Sequence, residues 1–319
     1  MKILFFGSSL LSVFFLEKLH KSEHSIEAVI TNKDKETGRG KKILPNPVKI
    51  KAGQLGIKHF EIKSIDEELY KKLSEIKFDG LVVVSSGHII PKKLIELSND
   101  NALNVHPSLL PKYRGPSPIV SALLNGDKDT GVSIMKIGEG LDTGNIYAQT
   151  RFKISSNDNH ETLEGKIIEM GAPLLISVLN LIEKGTIESF SQAGKPSYSK
   201  IFIKEDLRID WTKKSSEIRN KIRAFSPEPG AYAFLNNQRI KILNALEYDD
   251  LHKNLAKIMT ANEYESGAVI SADKINGLIV KCGKDDALRI LDLKIEGRRR
   301  MTFIEFLNGY KLKTGDYFN

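Results

Sequence analysis

MKILFFGSSLLSVFFLEKLHKSEHSIEAVIT, residues 1–31, sets the architecture. KILFFG at 2–7 is a short apolar run that stops at a glycine, the following stretch has the apolar spacing of a helix, and IEAVIT at 26–31 is a second short apolar run. Lys2 before apolar residues resembles the start of a secretion signal. However, the run splits at Gly7, Glu17 follows, and no A-x-A pattern closes it. The rhythm continues with DGLVVVSS at 79–86, ALNVH at 102–106 and GVSIMKIG at 131–138. Helical patterns lie between or after these runs at 65–76, 91–98 and roughly 159–184. Strand, helix, strand implies right-handed crossovers, so residues 1–187 are expected to form an α/β domain, a doubly wound and mainly parallel sheet with helices on both faces.

Periodicity fades over 186–210, where Gly194 and Pro196 fall, and a linker is assigned to 188–206. Beyond a short helix at 215–225, brief strands separated by turn residues (AYAFLNNQRIKIL, GAVISADKINGLIVKCG, ALRILDLKI) predict a small β-barrel-like domain over 207–319. Asn236-Asn237 and Asn276-Gly277 are its hairpin signals. A chain of 319 residues fits two domains, and 40% hydrophobic with 28% charged residues excludes disorder as the main state. The lone Cys282 has no internal disulfide partner, and neither CxxC nor HExxH is present, so a reducing cytoplasmic setting without metal is expected. No run approaches the roughly 20 uninterrupted apolar residues of a membrane span. A net charge of +8 mildly favours a polyanionic partner, and residues 201–319 carry half of it (21 basic, 17 acidic).

Open α/β sheets bind ligands beyond the carboxyl ends of their strands, which places chemistry on the loops after Gly7, Ser86, Val105 and Ile137. Ser9 interrupts any G-x-G-x-x-G pattern, so a nicotinamide enzyme is disfavoured. Asn104 and His106 alternate on one strand and therefore share a face, where an imidazole can exchange a proton near neutrality and an amide can donate to an oxyanion. An inert polar pair reads equally well from these two residues alone. Asp142, between Gly140 and Gly144, is a turn former in isolation; beside His106 it would orient the ring and favour its protonated form. Arg39, Lys41 and Lys42 lie in a basic, glycine-flanked loop too long for a simple βα connection, and Arg298, Arg299 and Arg300 form a compact cluster suited to phosphate.

Six segments taken together resemble the methionyl-tRNA formyltransferases: GRGKKILPNPVK at 38–49, NVHPSLLPKYRGPSPI at 104–119, GVSIMKIGEGLDTG at 131–144, RIDW at 208–211, IRAFSPEPGAY at 222–232 and GRRRM at 297–301. NVHPSLLPKYRG and LDTG alone indicate only the wider 10-formyltetrahydrofolate transformylases; the later motifs narrow it. The resemblance implies a Rossmann-like formyltransferase domain followed by an OB-like one. It implies 10-formyltetrahydrofolate as co-substrate and initiator methionyl-tRNA as acceptor, with Asn104, His106 and Asp142 as the catalytic trio. It also implies a folate-contacting segment at Ser108, Leu109, Leu110 and Pro111, acceptor-stem contacts from the Arg39 loop, and tRNA backbone contacts from the second domain. The chain departs from the pattern at Ser9, at Ser86 where tyrosine is frequent, and at Glu228 where tryptophan is; the first two bear on folate contacts. A monomer with no obligate protein partner is expected. The alternatives are a formyltransferase acting on glycinamide ribonucleotide or an amino-sugar nucleotide, which leaves a basic second domain unexplained, and an RNA-binding OB protein on an inactive scaffold.

Overall fold

The computed structural model describes residues 1–37, 42–248, 264–283 and 286–319. Two compact units emerge: Met1–Pro118, Asp129–Lys153 and Glu164–Lys200 make one, while Ile119–Lys128, Ile154–Leu163 and Ile201–Asn319 make the other.

In chain order the first part contains β1 (Lys2–Gly7), α1 (Leu10–His20), β2 (Ser25–Asn32), β3 (Lys35–Thr37), β4 (Lys42–Leu44), α2 (Pro47–Gln54) and β5 (His59–Ile62). Then come α3 (Glu67–Ser74), β6 (Gly80–Val84), α4 (Lys92–Leu97), β7 (Ala102–His106), α5 (Pro118–Leu124), β8 (Asp129–Lys136), β9 (Ile146–Lys153) and α6 (His160–Glu183). The sheet order is β5-β2-β1-β6-β7-β8-β9, parallel through β7 and antiparallel at β8 and β9. The expected mainly parallel sheet is present, with a mixed edge.

β1 is buried on both faces, as a central parallel strand must be. Leu4 and Phe6 join Leu81, Val83 and the α3 and α4 residues Leu69, Leu73 and Leu94 in one core. Ser9, a departure from the family pattern, caps α1 through a reciprocal bond with Ser12. The long connection after β2 is a β3–β4 hairpin followed by α2, capped by Asn46 with Pro47 at its first position. α6 is long and apolar enough to span a membrane by length and composition. Its buried Ile167, Leu175, Val178 and Leu179, and the Gly171 backbone set against Phe15 and Val132, make it a core helix of the first unit.

The second unit contains α7 (Ser215–Phe225), β10 (Ala231–Leu235), β11 (Gln238–Glu247), β12 (Val269–Asp273), β13 (Gly277–Lys281), β14 (Ala287–Ile295), β15 (Arg300–Thr302) and α8 (Phe303–Gly309). Its antiparallel sheet runs β10-β11-β14-β13-β12, with β15 on β14. Both predicted hairpins are there. Asn236 and Asn237 take positive φ (49° and 61°) in a two-residue turn, and Asp273 accepts the Ile275 and Asn276 amides; the Asn276 backbone bond, with help from its side chain, holds the Asp273 carboxyl down to about 2. Residues 315–319 then bridge the sheet's two outer strands. The Asn319 and Phe234 backbones exchange hydrogen bonds at 2.7 and 2.9 Å, while Phe318 donates to Gly267 and Val269 donates to Asp316. The C-terminal residues thus join the sheet's two outer strands and pair part of each edge.

Phe318 is 1% exposed and its ring centroid lies 6.0 Å from that of Trp211. Phe318→Ala should destabilise the second unit by about 3–5 kcal/mol. Denaturant unfolding followed at Trp211, the one tryptophan, reads this directly; an unchanged midpoint would show that the closure contributes nothing.

Candidate active site

β7 carries Asn104 and His106 on one face. The strand-end rule predicts Asp142 at the same sheet edge, and here the structure differs in its route. β8 is antiparallel and pairs Lys136 with Leu103, so its carboxyl end lies beside the amino-terminal half of β7. The loop 137–145 meets the trio by folding back over the face bearing Asn104 and His106. Gly144 permits this fold, since a Cβ there would sit 1.9 Å from the Lys136 carbonyl oxygen. Asp142 itself takes the left-handed conformation, φ 50°.

Asp142 Oδ1 accepts from Asn104 Nδ2 at 3.3 Å, and Oδ2 accepts from the Gly115 amide at 2.7 Å while lying 3.5 Å from His106 Nδ1. His106 Nε2 is 3.0 Å from the Tyr113 carbonyl oxygen. A carbonyl only accepts, so Nε2 carries a proton, and Nδ1 faces the Asp142 carboxylate. His106 is 3% exposed. Burial pushes its pKa below the ordinary histidine value, against the opposing pull of the Asp142 carboxylate and the Tyr113 carbonyl. Burial thus favours the neutral ring beside the carboxylate, and the Asp142 contact uses one of the two Asn104 side-chain N–H groups.

The segment after β7 is embedded. Ser108 donates to the Lys112 carbonyl, Leu110 packs with Met135 and Ile146, and Pro111 is buried behind a cis peptide. Ser133 donates to the Ser108 carbonyl at 2.6 Å and accepts from the Leu110 amide, while Gln149 donates to the Leu110 carbonyl. Leu109 lies over Gly131, where a Cβ would come within 2.5 Å of its side chain. Ser86, the other departure near this edge, is 3% exposed and its hydroxyl has no hydrogen-bond partner among the described residues.

Sequence reasoning missed the segment 190–199, which it took as linker. Phe190 bridges Ile146, and Tyr198 bridges Arg114. The Arg114 amide donates to the Ser197 carbonyl at 2.9 Å and the Tyr113 amide to Ser197 Oγ at 2.9 Å. Gln192 donates to the Asp142 and Gly144 carbonyls and accepts from Arg114. No local pattern announces this strap, because an extended segment held by hydrogen bonds to loops 50 or more residues away has no periodicity of its own.

Arg39 and Lys41 lie outside the described residues, and Lys42 opens β4. Asn104, His106 and Asp142 belong to the first unit, and Arg298, Arg299 and Arg300 to the second. Arg299 pairs with Glu305 and Arg300 with Asp292, both at 2.7 Å. Arg298 instead lines a cavity of about 700 Å³ with Lys204, Arg239, Lys241 and Lys294. Glu228, the third departure, bridges Lys241 and Lys294 at its margin.

Residues 1–179 match the family described as Formyl transferase, and residues 202–311 match Formyl transferase, C-terminal domain. The methionyl-tRNA formyltransferases of Dictyoglomus thermophilum and Halothermothrix orenii are 38% and 39% identical to the chain, each aligned over 99–100% of both proteins. The chain belongs to the methionyl-tRNA formyltransferase family. Among solved structures, WlaRD, a sugar 3N-formyl transferase determined with dTDP and 5-N-formyl-THF, superposes on this family member with a TM-score of 0.62 at 25% identity, covering 94% of this chain and 99% of its own. HypX from Aquifex aeolicus shares the fold at 17% identity (TM-score 0.65), with all of this chain matched to 52% of HypX.

Burial lowers the pKa of His106 and likewise of His24, His88 and His160 in this formyltransferase. Unfolded imidazoles ionise near about 6.5, so below that pH the unfolded chain takes up protons that the folded one refuses. Stability is fully present above about pH 6.5 and is lost as pH falls through the depressed folded values. Denaturant midpoints at pH 7.5 and 5.5 check the sign; a midpoint that is equal or higher at 5.5 contradicts it.

Proposed function

We propose that the chain transfers the formyl group of 10-formyltetrahydrofolate to the α-amino group of methionine on initiator methionyl-tRNA, for the start of protein synthesis. The observation that carries this reading is the buried imidazole–carboxylate pair with a spare amide N–H. It lies in a chain that aligns end to end with methionyl-tRNA formyltransferases.

The neutral amine attacks the formyl carbon, a C–N bond forms, and the formyl oxygen becomes an oxyanion. The unused N–H of Asn104 is the donor ready for that oxygen. Neutral His106 has committed its one N–H to Tyr113, so it acts first as a base at Nδ1. The imidazolium so formed is stabilised by Asp142 and then returns the proton to the departing folate nitrogen. No metal is required by this sequence of steps. The Ser108–Pro111 segment has little but Leu109 and backbone to offer the folate, since its other side chains are buried. The basic cavity of the second domain supplies phosphate contacts, and the loop bearing Arg39, Lys41 and Lys42 meets the acceptor end.

A second reading, an amino-sugar nucleotide as acceptor, draws on the fold shared with sugar formyltransferases. Incubation with 10-formyltetrahydrofolate and charged initiator methionyl-tRNA should yield formylmethionine. Formylation of a dTDP-amino sugar in its place would favour the second reading.

Asn104→Ala should lower turnover by about 100-fold or more while leaving tRNA affinity nearly unchanged, as expected for loss of an oxyanion donor. Asp142→Asn retains a turn-forming side chain but not the charge, so a large rate loss in a folded protein separates the catalytic role from a turn role.

tRNA affinity should fall log-linearly with salt, and Arg298→Ala together with Lys204→Ala should flatten that slope by about 0.7–0.9 for each phosphate no longer neutralised. An unchanged slope would remove the cavity from the tRNA surface.

A further inference from the structure

The trio's geometry rests on one amide outside it. Gln192 Nε2 donates to the Asp142 carbonyl at 2.8 Å and to the Gly144 carbonyl at 2.9 Å. Its Oε1 accepts from Arg114 Nη2 at 2.7 Å and Nε at 3.1 Å. A carboxamide has two N–H donors and two acceptor positions, and here all four are used. The two sides it joins are the two halves of the site. Arg114 lies between Tyr113, whose carbonyl fixes the His106 tautomer, and Gly115, whose amide holds the Asp142 carboxylate. Residues 142 and 144 belong to the loop that carries the carboxylate. That loop returns over the sheet with Asp142 in a left-handed conformation that a non-glycine residue does not hold by preference.

We propose that Gln192 is a positioning residue for the reaction, clamping the Asp142 loop onto the His106 loop so that carboxylate and imidazole keep the register proton transfer needs. This rests on the formyltransferase reading of the trio. Gln192 touches none of the reacting atoms and acts through Asp142. Only an amide meets the requirement. A glutamate keeps or strengthens the Arg114 contact but sets one carboxylate oxygen against two carbonyl oxygens, and a methionine of similar length satisfies neither side.

Gln192→Glu and Gln192→Met therefore separate clamping from simple anchoring to Arg114. Both variants should lose at least ten-fold in kcat while KM for 10-formyltetrahydrofolate and for methionyl-tRNA stays within about two-fold, because misplaced groups cost rate rather than binding. The Gly115 amide, which donates to Asp142, should exchange with solvent faster in both variants than in the wild type. Full kcat in Gln192→Glu would overturn the proposal, leaving the residue an anchor for Arg114. Unchanged Gly115 exchange in both variants would overturn it as well. If the wild-type protein formylates no methionyl-tRNA, the functional reading falls, while Gly115 exchange still decides whether Gln192 holds the Asp142 loop.

Discussion

A carboxylate taken largely out of water must be met by donors, and that requirement organises the candidate site of this protein. The Asp142 side chain is 14% exposed and obtains its donors from three separate places: the Gly115 amide, the Asn104 side chain and, once protonated, His106. Each comes from a segment that has to stop at a defined position. β7 delivers two of them by alternation, the loop after it delivers the third, and the turn beyond β8 delivers the acceptor. Moving any of these by one residue would take a partner from the carboxylate.

The same economy explains what the apparent linker is bonded to. A loop that folds back over a sheet face exposes carbonyls that no strand partner can reach. Gln192 answers two of them, and the backbone of 197–199 answers the loop that holds the imidazole. The segment up to Lys200 belongs with the first unit and the chain from Ile201 with the second, so the residues that hold the candidate site's loops immediately precede the point in the sequence where the other unit takes over. In the second unit, closure likewise falls to a segment without strong periodicity, the last five residues, which satisfy the outer strands on both sides.

Charge is distributed less simply than the sequence implies. The run Arg298-Arg299-Arg300 reads as a single cluster, yet two of its members turn to Glu305 and Asp292 and only Arg298 joins Lys204, Arg239, Lys241 and Lys294 around the cavity. Exposed ion pairs are weak, about 0–1 kcal/mol, and the Arg299–Glu305 pair is of that kind. The cavity is assembled from positions between 202 and 298, and its charge comes from spatial convergence rather than from a run.

By itself the sequence determined the alternation of strands and helices, the two hairpins at Asn236-Asn237 and Asn276-Gly277, and the pairing of Asn104 with His106 on one strand face, because each follows from local periodicity or turn chemistry. Its motifs also marked Asp142 and the family. Only the tertiary structure decided that β8 runs antiparallel, since an apolar run reads the same in either direction, and that Asp142 therefore approaches over the sheet rather than from the strand ends. It alone decided the tautomer of His106, which depends on where the Tyr113 carbonyl points, and the role of Gln192, whose partners lie on two loops about 50 and 78 residues away. A hydrogen bond between distant segments leaves no trace in either segment's own pattern, and much of this site is held by such bonds.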